Sequence, residues 1–231
     1  MTFAAYPSLE GRTVFVSGGA TGIGADIVRA FARNHARVAF VDVQRYEGEA
    51  LAAALKGTGE TALFLRCDVT DVAALQASIA EARAKLGPIA VLVNNAANDE
   101  RHAVADVTAA YWDHAQNVNL RHHFFAAQAV HPQMRELGHG SIVNLSSIAW
   151  RGAAEMPAYS AAKAGIIGLT HALARAFGGL DGGQRFHRSG RAAQCAEVLE
   201  RNGTARDLLE IGIRIRGSNK AHASVICAIL E

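Results

Sequence analysis

The sequence predicts an α/β fold: a parallel sheet doubly wound with helices, in a single domain. Three observations carry that expectation. Short apolar runs alternate with longer amphipathic segments. The runs are continuous and rich in valine or isoleucine, as in strands covered on both faces. A chain of 231 residues suits one domain with a sizeable core, and two would be cramped.

Taken in order, strands are expected at Thr13–Ser17, Val38–Asp42, Ala62–Arg66, Ile89–Val93 and Ser141–Ser146. Helices are expected near Gly24–Asn34, Glu47–Lys56, Val72–Leu86, Val118–Arg135 and Ala158–Phe177. Repetition at this spacing implies right-handed crossovers. The pattern stops at Phe177, so residues 1–177 are expected to form the domain and 178–231 an atypical or incomplete tail. Within that tail Arg191–Glu200 or Ala205–Ile211 can form helix, and Ala223–Leu230 reads as apolar strand or helix.

Composition removes several classes. Hydrophobic content of 50% with only four prolines fits neither a disordered nor a collagen-like chain. A formal charge of +2, with basic residues scattered, leaves no nucleic-acid footprint. No run of about 18 apolar residues occurs, so no membrane span is expected. The start, MTFAAYPSLEGR, lacks the basic and apolar stretches of a secretory signal. Cys67, Cys195 and Cys227 include no CxxC pair, which argues against a disulfide framework or a zinc knuckle. A cytoplasmic protein is the expectation.

After the first strand comes Ser17-Gly18-Gly19-Ala20-Thr21-Gly22-Ile23-Gly24, leading into a helix. Gly18, Gly22 and Gly24 permit a tight turn and a close backbone approach. The helix start at Thr21, Gly22 and Ile23 offers unpaired N–H groups and a positive dipole end to a pyrophosphate. Glycine turns are common, but strand before and helix after is the setting that points to a dinucleotide and a Rossmann-type fold. Asp42 ends the second strand, where a carboxylate accepts hydrogen bonds from an adenosine ribose and repels a 2′-phosphate. No basic residue occupies the turn, so NAD is favoured over NADP, although Arg45 lies close by. The plainer alternative is that Asp42 caps the next segment.

Tyr159 and Lys163 stand four apart, on one face of a helix. A free phenol, with a pKa of about 10, is too weakly acidic to serve as a base at neutral pH. A neighbouring ammonium is expected to lower it. Ser146 or Ser147, ending the preceding strand, can hold a substrate oxygen. An ordinary amphipathic helix with one exposed lysine is the alternative.

These motifs together resemble the short-chain dehydrogenase/reductase family. Its TGxxxGxG appears as SGGATGIG, its NNAG as Asn94-Asn95-Ala96-Ala97, and its YxxxK as Tyr159 to Lys163, over roughly Tyr6 to Phe177. The resemblance implies Tyr159 as acid/base, with Lys163 lowering its pKa and bonding the nicotinamide ribose. It implies Ser147 as the group orienting the substrate and Asn119 as the anchor of a proton-relay water. Asp68 and Val69 fall at the family's adenine contact, and Asn94, Asn95 and Ala96 along the cofactor cleft. Several stretches look closer to bacterial NAD-dependent aldose 1-dehydrogenases of the D-xylose type: YPSLEGR, NNAANDERH, AAYWDHAQNVNLRHHFFAAQAV and SSIAW. That likeness implies hydride removal from a sugar or secondary alcohol to NAD. Asn98, Trp150 and Glu155, on loops at the strand ends, become candidate sugar contacts, and homo-oligomers (dimer or tetramer) are implied as well.

Three departures stand out. Ala97 replaces a glycine, which strains the turn if that position needs positive φ. Ser147 lies twelve positions before Tyr159 and Ser146 the family's usual thirteen; the SIAW match favours Ser147, with Ser146 as the alternative. After Phe177 neither a VN…PG stretch, a substrate-covering loop nor a last sheet strand can be found. The tail is what a shifted reading frame would produce, and the missing pieces favour a second reading, a weak or inactive dinucleotide-binding protein. His122 and His123, with His102, His114, His131 and His139, match no standard metal-ligand spacing, and adjacent histidines on a helix are expected on different faces. No metal is expected. Arg185, Arg188 and Arg191 read as a solvated face.

Overall fold

A computed structural model describes residues 6–178 and, beyond them, the backbone of two strands. Five strands form the heart of the sheet: β1 (Thr13–Ser17), β2 (Arg37–Asp42), β3 (Ala62–Arg66), β4 (Ile89–Asn94) and β5 (Gly140–Ser147). All pair in parallel, in the order 3-2-1-4-5. The helices are α1 (Gly22–Ala32), α2 (Arg45–Gly57), α3 (Val72–Leu86), α4 (Ala109–Gln116), α5 (His122–Leu137) and α6 (Pro157–Gly178).

Strand alternation splits the core into two layers. Val14, Val16, Val38, Phe40, Val91, Val93, Val143 and Leu145 face one side, against Ile27, Val28 and Phe31 of α1 and Leu51 and Leu55 of α2. Phe15, Ala39, Val41, Leu92 and Ile142 face the other, against Leu75 and Ile79 of α3, Val130 and Met134 of α5 and Leu173 of α6. Helices on both faces make this the expected doubly wound sheet. Strand order reverses between β1 and β4, and the crevice outside their carboxyl ends is where such folds bind ligands.

Two expectations change. The helix expected from Val118 begins earlier, as α4, and passes through a π-turn at Asn117–Arg121 before α5. The Thr108 hydroxyl caps α4 by accepting from the Tyr111 N–H at 3.1 Å. None of the α4 residues is buried, so no apolar periodicity announces it.

The tail is the second change. Ala223–Leu230 is a strand, β7, pairing in parallel with β5 along its whole length, and Cys195–Ala196 (β6) pairs with β7 in turn. A run of valine, isoleucine and alanine beside the open edge of β5 suits that pairing. The helix expected at Arg191–Glu200 or Ala205–Ile211 lies outside the described residues, except that Cys195–Ala196, inside the first range, is strand and not helix.

Candidate active site

The glycine turn joins β1 to α1 at the switch point. Gly18 and Gly22 take φ of +66° and +54°, which favour glycine. A Cβ on Gly24 would lie 1.8 Å from the Gly18 carbonyl oxygen, and one on Gly18 would lie 2.7 Å from the Ala96 Cα. At Gly22 nothing stands within 4 Å of that position, leaving open space before the helix start. The Thr21 side chain does not cap α1; its hydroxyl accepts from Gln44 Nε2 at 3.3 Å. The first amides of α1 are therefore left to an anion, which the dipole also favours.

Asp42, at the end of β2, is buried beside the turn. Its Oδ2 accepts from the Ala20 N–H at 3.0 Å and its Oδ1 from the Gln44 N–H at 3.1 Å. Each carboxylate oxygen keeps acceptor capacity for a ribose hydroxyl. Arg45 is turned to Glu49, 2.7 Å from Nε to Oε1, where both side chains are exposed. The residues present thus fit an adenine dinucleotide.

On the β4 side, Asn95 reaches across the crevice. Its Nδ2 donates to the Ser17 and Gly18 carbonyls at 3.0 and 2.8 Å, and its backbone N–H donates to Ser17 Oγ at 3.0 Å. Ala96 N–H reaches the same oxygen at 3.1 Å. Ala97 carries no positive φ: among the described residues His35 is the only non-glycine that does. The methyl group therefore fits without backbone strain.

The candidate reacting groups lie where β5 runs into α6. Lys163 is 2% exposed, and its ammonium donates to the Leu145 carbonyl at 2.9 Å. Ser146 donates to the Lys163 carbonyl at 2.7 Å and is buried. Ser147 instead acts on the Tyr159 phenol, whose pKa it lowers, and its Oγ accepts from the Ala149 N–H at 3.2 Å. Of the two serines, then, Ser147 meets the phenol and Ser146 locks the helix to the sheet.

The phenol's pKa moves opposite to expectation. Burial pushes it up, the Ser147 hydrogen bond pulls it down, and the nearby Asp99 carboxylate pushes it up again; the net direction is up. Lys163 stands 5.2 Å from the ring centroid, over its face. Its ammonium is bonded to the Leu145 carbonyl, and burial is the largest influence on the phenol.

Asn119 sits in the π-turn, where its Oδ1 accepts from the Asn98 N–H at 2.9 Å and its Nδ2 donates to the Asn98 carbonyl at 3.0 Å. It thereby pins the loop after β4. That loop is tied to the one before α6: His102 N–H donates to the Glu155 carbonyl at 2.7 Å, and Arg101 pairs with the Glu155 carboxylate. Trp150 is exposed, with the Arg151 guanidinium over its ring.

With this geometry in view, the comparisons decide the family: the family model described as short chain dehydrogenase matches residues 12–179. The chain belongs to the short-chain dehydrogenase family. It is 47% identical over 179 residues to D-xylose 1-dehydrogenase of Caulobacter vibrioides, covering 77% of this chain and 71% of that one. It is 52% identical over 175 residues to the probable galactose dehydrogenase GalD of Rhizobium meliloti, covering 75% and 68%. Among solved structures, a short chain dehydrogenase from Mycobacterium smegmatis matches with a TM-score of 0.71 and 32% identity, over 76% of this chain and 75% of that one. A 7α-hydroxysteroid dehydrogenase complexed with NADH and a 7-oxo bile acid matches with a TM-score of 0.71 and 29% identity, over 74% and 67%. Members of the family generally use NAD or NADP.

In this short-chain dehydrogenase the structure gathers Gly18, Thr21, Gly22, Ile23, Gly24, Asp42, Asn95 and Ala96 at the turn. A second group forms around Ser147, Tyr159 and Lys163 with Asn119 behind the neighbouring loop. Asp68 and Val69 follow β3, and Asp68 Oδ1 accepts from the Thr70 N–H at 2.9 Å and the Thr70 hydroxyl at 2.8 Å.

One expectation is corrected here: His122 and His123 do not point apart. Both are fully buried, with ring centroids 4.3 Å apart. Two consecutive residues face inward because α5 starts directly after the π-turn, beneath the sheet. Among the described residues no cluster of three or more metal-ligating side chains occurs, and no helix is long and apolar enough to cross a membrane. Sequence reasoning passed over Asp99, the Leu145 carbonyl and Ser17. A carbonyl leaves no mark in sequence, whereas Ser17 opens the glycine motif and was open to notice.

Proposed function

We propose that this dehydrogenase transfers hydride from a sugar or related secondary alcohol to NAD, through Ser147, Tyr159, Lys163 and Asn119. The observation that carries the reading is buried Lys163 over the face of the Tyr159 ring, 5.2 Å from its centroid, with Ser147 lowering the phenol's pKa, across the crevice from the glycine turn. Asp42 at the ribose position, with Arg45 diverted to Glu49, supports NAD rather than NADP. The xylose and galactose dehydrogenases among its relatives support a sugar substrate.

Bound NAD supplies a two-electron hydride acceptor. In oxidation the carbon–hydrogen bond would break with its electron pair departing as hydride to that acceptor, and the hydroxyl proton would pass to the Tyr159 oxygen, which must first be deprotonated. Ser147 holds the reacting oxygen, and positioning accounts for much of the rate. Lys163 holds a fixed positive charge under the phenol. Asn119 fixes Asn98, which with Trp150 and Glu155 is the proposed sugar contact. Exposed Phe124 on α5 supports a homo-oligomer, which size-exclusion chromatography tests.

NADH formation with a panel of aldoses, beside Tyr159→Phe, tests the reading. Measurable NAD binding without oxidation of any alcohol would overturn it. It would favour the second reading, a weak or inactive dinucleotide-binding protein, which draws support from the family match ending at residue 179 and the lack of a VN…PG stretch beyond it.

A further inference from the structure

His122 opens α5, three residues after Asn119, and is fully buried. Its Nε2 lies 3.4 Å from Ser17 Oγ. The direction of that bond follows from counting. Ser17 Oγ already accepts from the Asn95 and Ala96 amides at 3.0 and 3.1 Å. A hydroxyl has two lone pairs and one proton. With both lone pairs engaged, the proton has to go to His122, so Nε2 accepts and carries no hydrogen.

The ring's own proton then sits on Nδ1. There the Val118 carbonyl of the π-turn favours it, without a well-formed hydrogen bond, since Nδ1 is a buried atom lacking a partner. A second proton is disfavoured first by burial and then by the Lys163 ammonium. His123 repeats the pattern beside it, with Nδ1 3.2 Å from Asn144 Oδ1. That amide oxygen already accepts from Asn94 Nδ2 at 2.8 Å, which leaves His123 as the donor.

We propose that His122 is a positioning residue: bare at Nε2, it accepts a hydrogen bond from the Ser17 hydroxyl and so aims the Ser17 oxygen at the Asn95 and Ala96 amides, holding the glycine turn against the loop after β4. The chain of contacts runs from the π-turn through an imidazole and a hydroxyl to both banks of the crevice. No other described side chain hydrogen-bonds the Ser17 hydroxyl. The consequence for NAD affinity rests on the dinucleotide reading; the hydrogen-bond direction does not.

Two measurements test it on the full chain. Nitrogen-15 NMR of the imidazoles, with the His122 signal identified by its loss in His122→Gln, is expected to show Nε2 bare at neutral pH. A proton on Nε2 overturns the proposal. The second measurement compares His122→Gln, which keeps an acceptor in reach of Ser17, with His122→Phe, which fills the space without one. In His122→Phe the Asn95 and Ala96 amides are expected to exchange hydrogen roughly tenfold faster and NAD to bind roughly tenfold more weakly, the scale of one buried hydrogen bond. His122→Gln is expected to restore both. Equal behaviour of the two variants overturns the proposal. Should His122→Phe fail to fold, the NMR result on the unaltered chain decides. Failure of the unaltered chain to bind NAD sinks the dinucleotide reading and leaves the NMR and exchange measurements standing.

Discussion

Around Gly18–Gly24 the crevice holds its shape with backbone; around Ser147–Lys163 it holds its shape with side chains. The first bank depends on two positive-φ glycines and on contacts too close for any Cβ. The second depends on a buried ammonium, two serines with separate partners and a phenol whose acidity burial, Ser147 and Asp99 contest. Backbone devices tolerate no added atom, and side-chain devices tolerate no lost one. Substitutions should therefore fail in different ways on the two banks.

The largest effect is expected on the side-chain bank. Tyr159→Phe should cost about 10²–10⁴ in kcat/KM for the sugar, the range of a lost general acid/base. NAD affinity measured by calorimetry should barely move. A parallel loss of NAD affinity would blur the distinction between the banks.

Gly24→Ala puts a methyl carbon into the Gly18 carbonyl and is expected to destabilise the fold by about 3 kcal/mol, the upper part of the overpacking range. Gly168→Ala, in the middle of α6 with open space at its Cβ position, is expected to stabilise by about 0.5–1 kcal/mol. Thermal unfolding of the two variants measures the contrast.

Acid stability comes next. The His122 pKa is pushed down to about 3, chiefly by burial, and that of His123 lies well below its ordinary value for the same reason, with Lys163 opposing a proton on either. Unfolding frees both rings to take a proton near pH 6.5, so the unfolded state binds more protons below that pH. Stability is full above it and falls as pH drops toward the folded values. The slope reaches about 1.4 kcal/mol per pH unit for each histidine within that window. Urea unfolding at pH 7, 6 and 5 measures it, and His122→Gln should remove one histidine's share.

The smallest effect sharpens the comparison. Asp99 pushes the Tyr159 pKa up, so Asp99→Asn should move the rising limb of the kcat/KM–pH profile for sugar oxidation toward lower pH. An unchanged limb would mean that the limb does not report Tyr159.

The same division explains what could be read in the sequence. β1 and β3 begin and end where their apolar runs do, and the glycine turn is legible because a tight turn at a strand–helix junction admits few residues. Tyr159 and Lys163 are legible as a pair. The choice between Ser146 and Ser147 is not, since it depends on which hydroxyl meets a backbone carbonyl across the β5–α6 junction. The phenol's raised pKa is not legible for a related reason: spacing puts an ammonium near the ring but does not say that the Leu145 carbonyl accepts its hydrogen bond. β7 is ambiguous in sequence because eight residues, all but Ser224 apolar, suit strand or helix alike, and only the open edge of β5 decides between them.

The five-residue π-turn at Asn117–Arg121 sets the phase of everything that follows. Each residue added or removed there would spin α5 by about 100°. Ala126, Ala127, Val130 and Met134 would swing off the sheet together, and His122 would lose sight of Ser17. Length in this stretch is thus far less negotiable than spelling: residue swaps can be absorbed one at a time, while a single-codon insertion misaligns a whole helix.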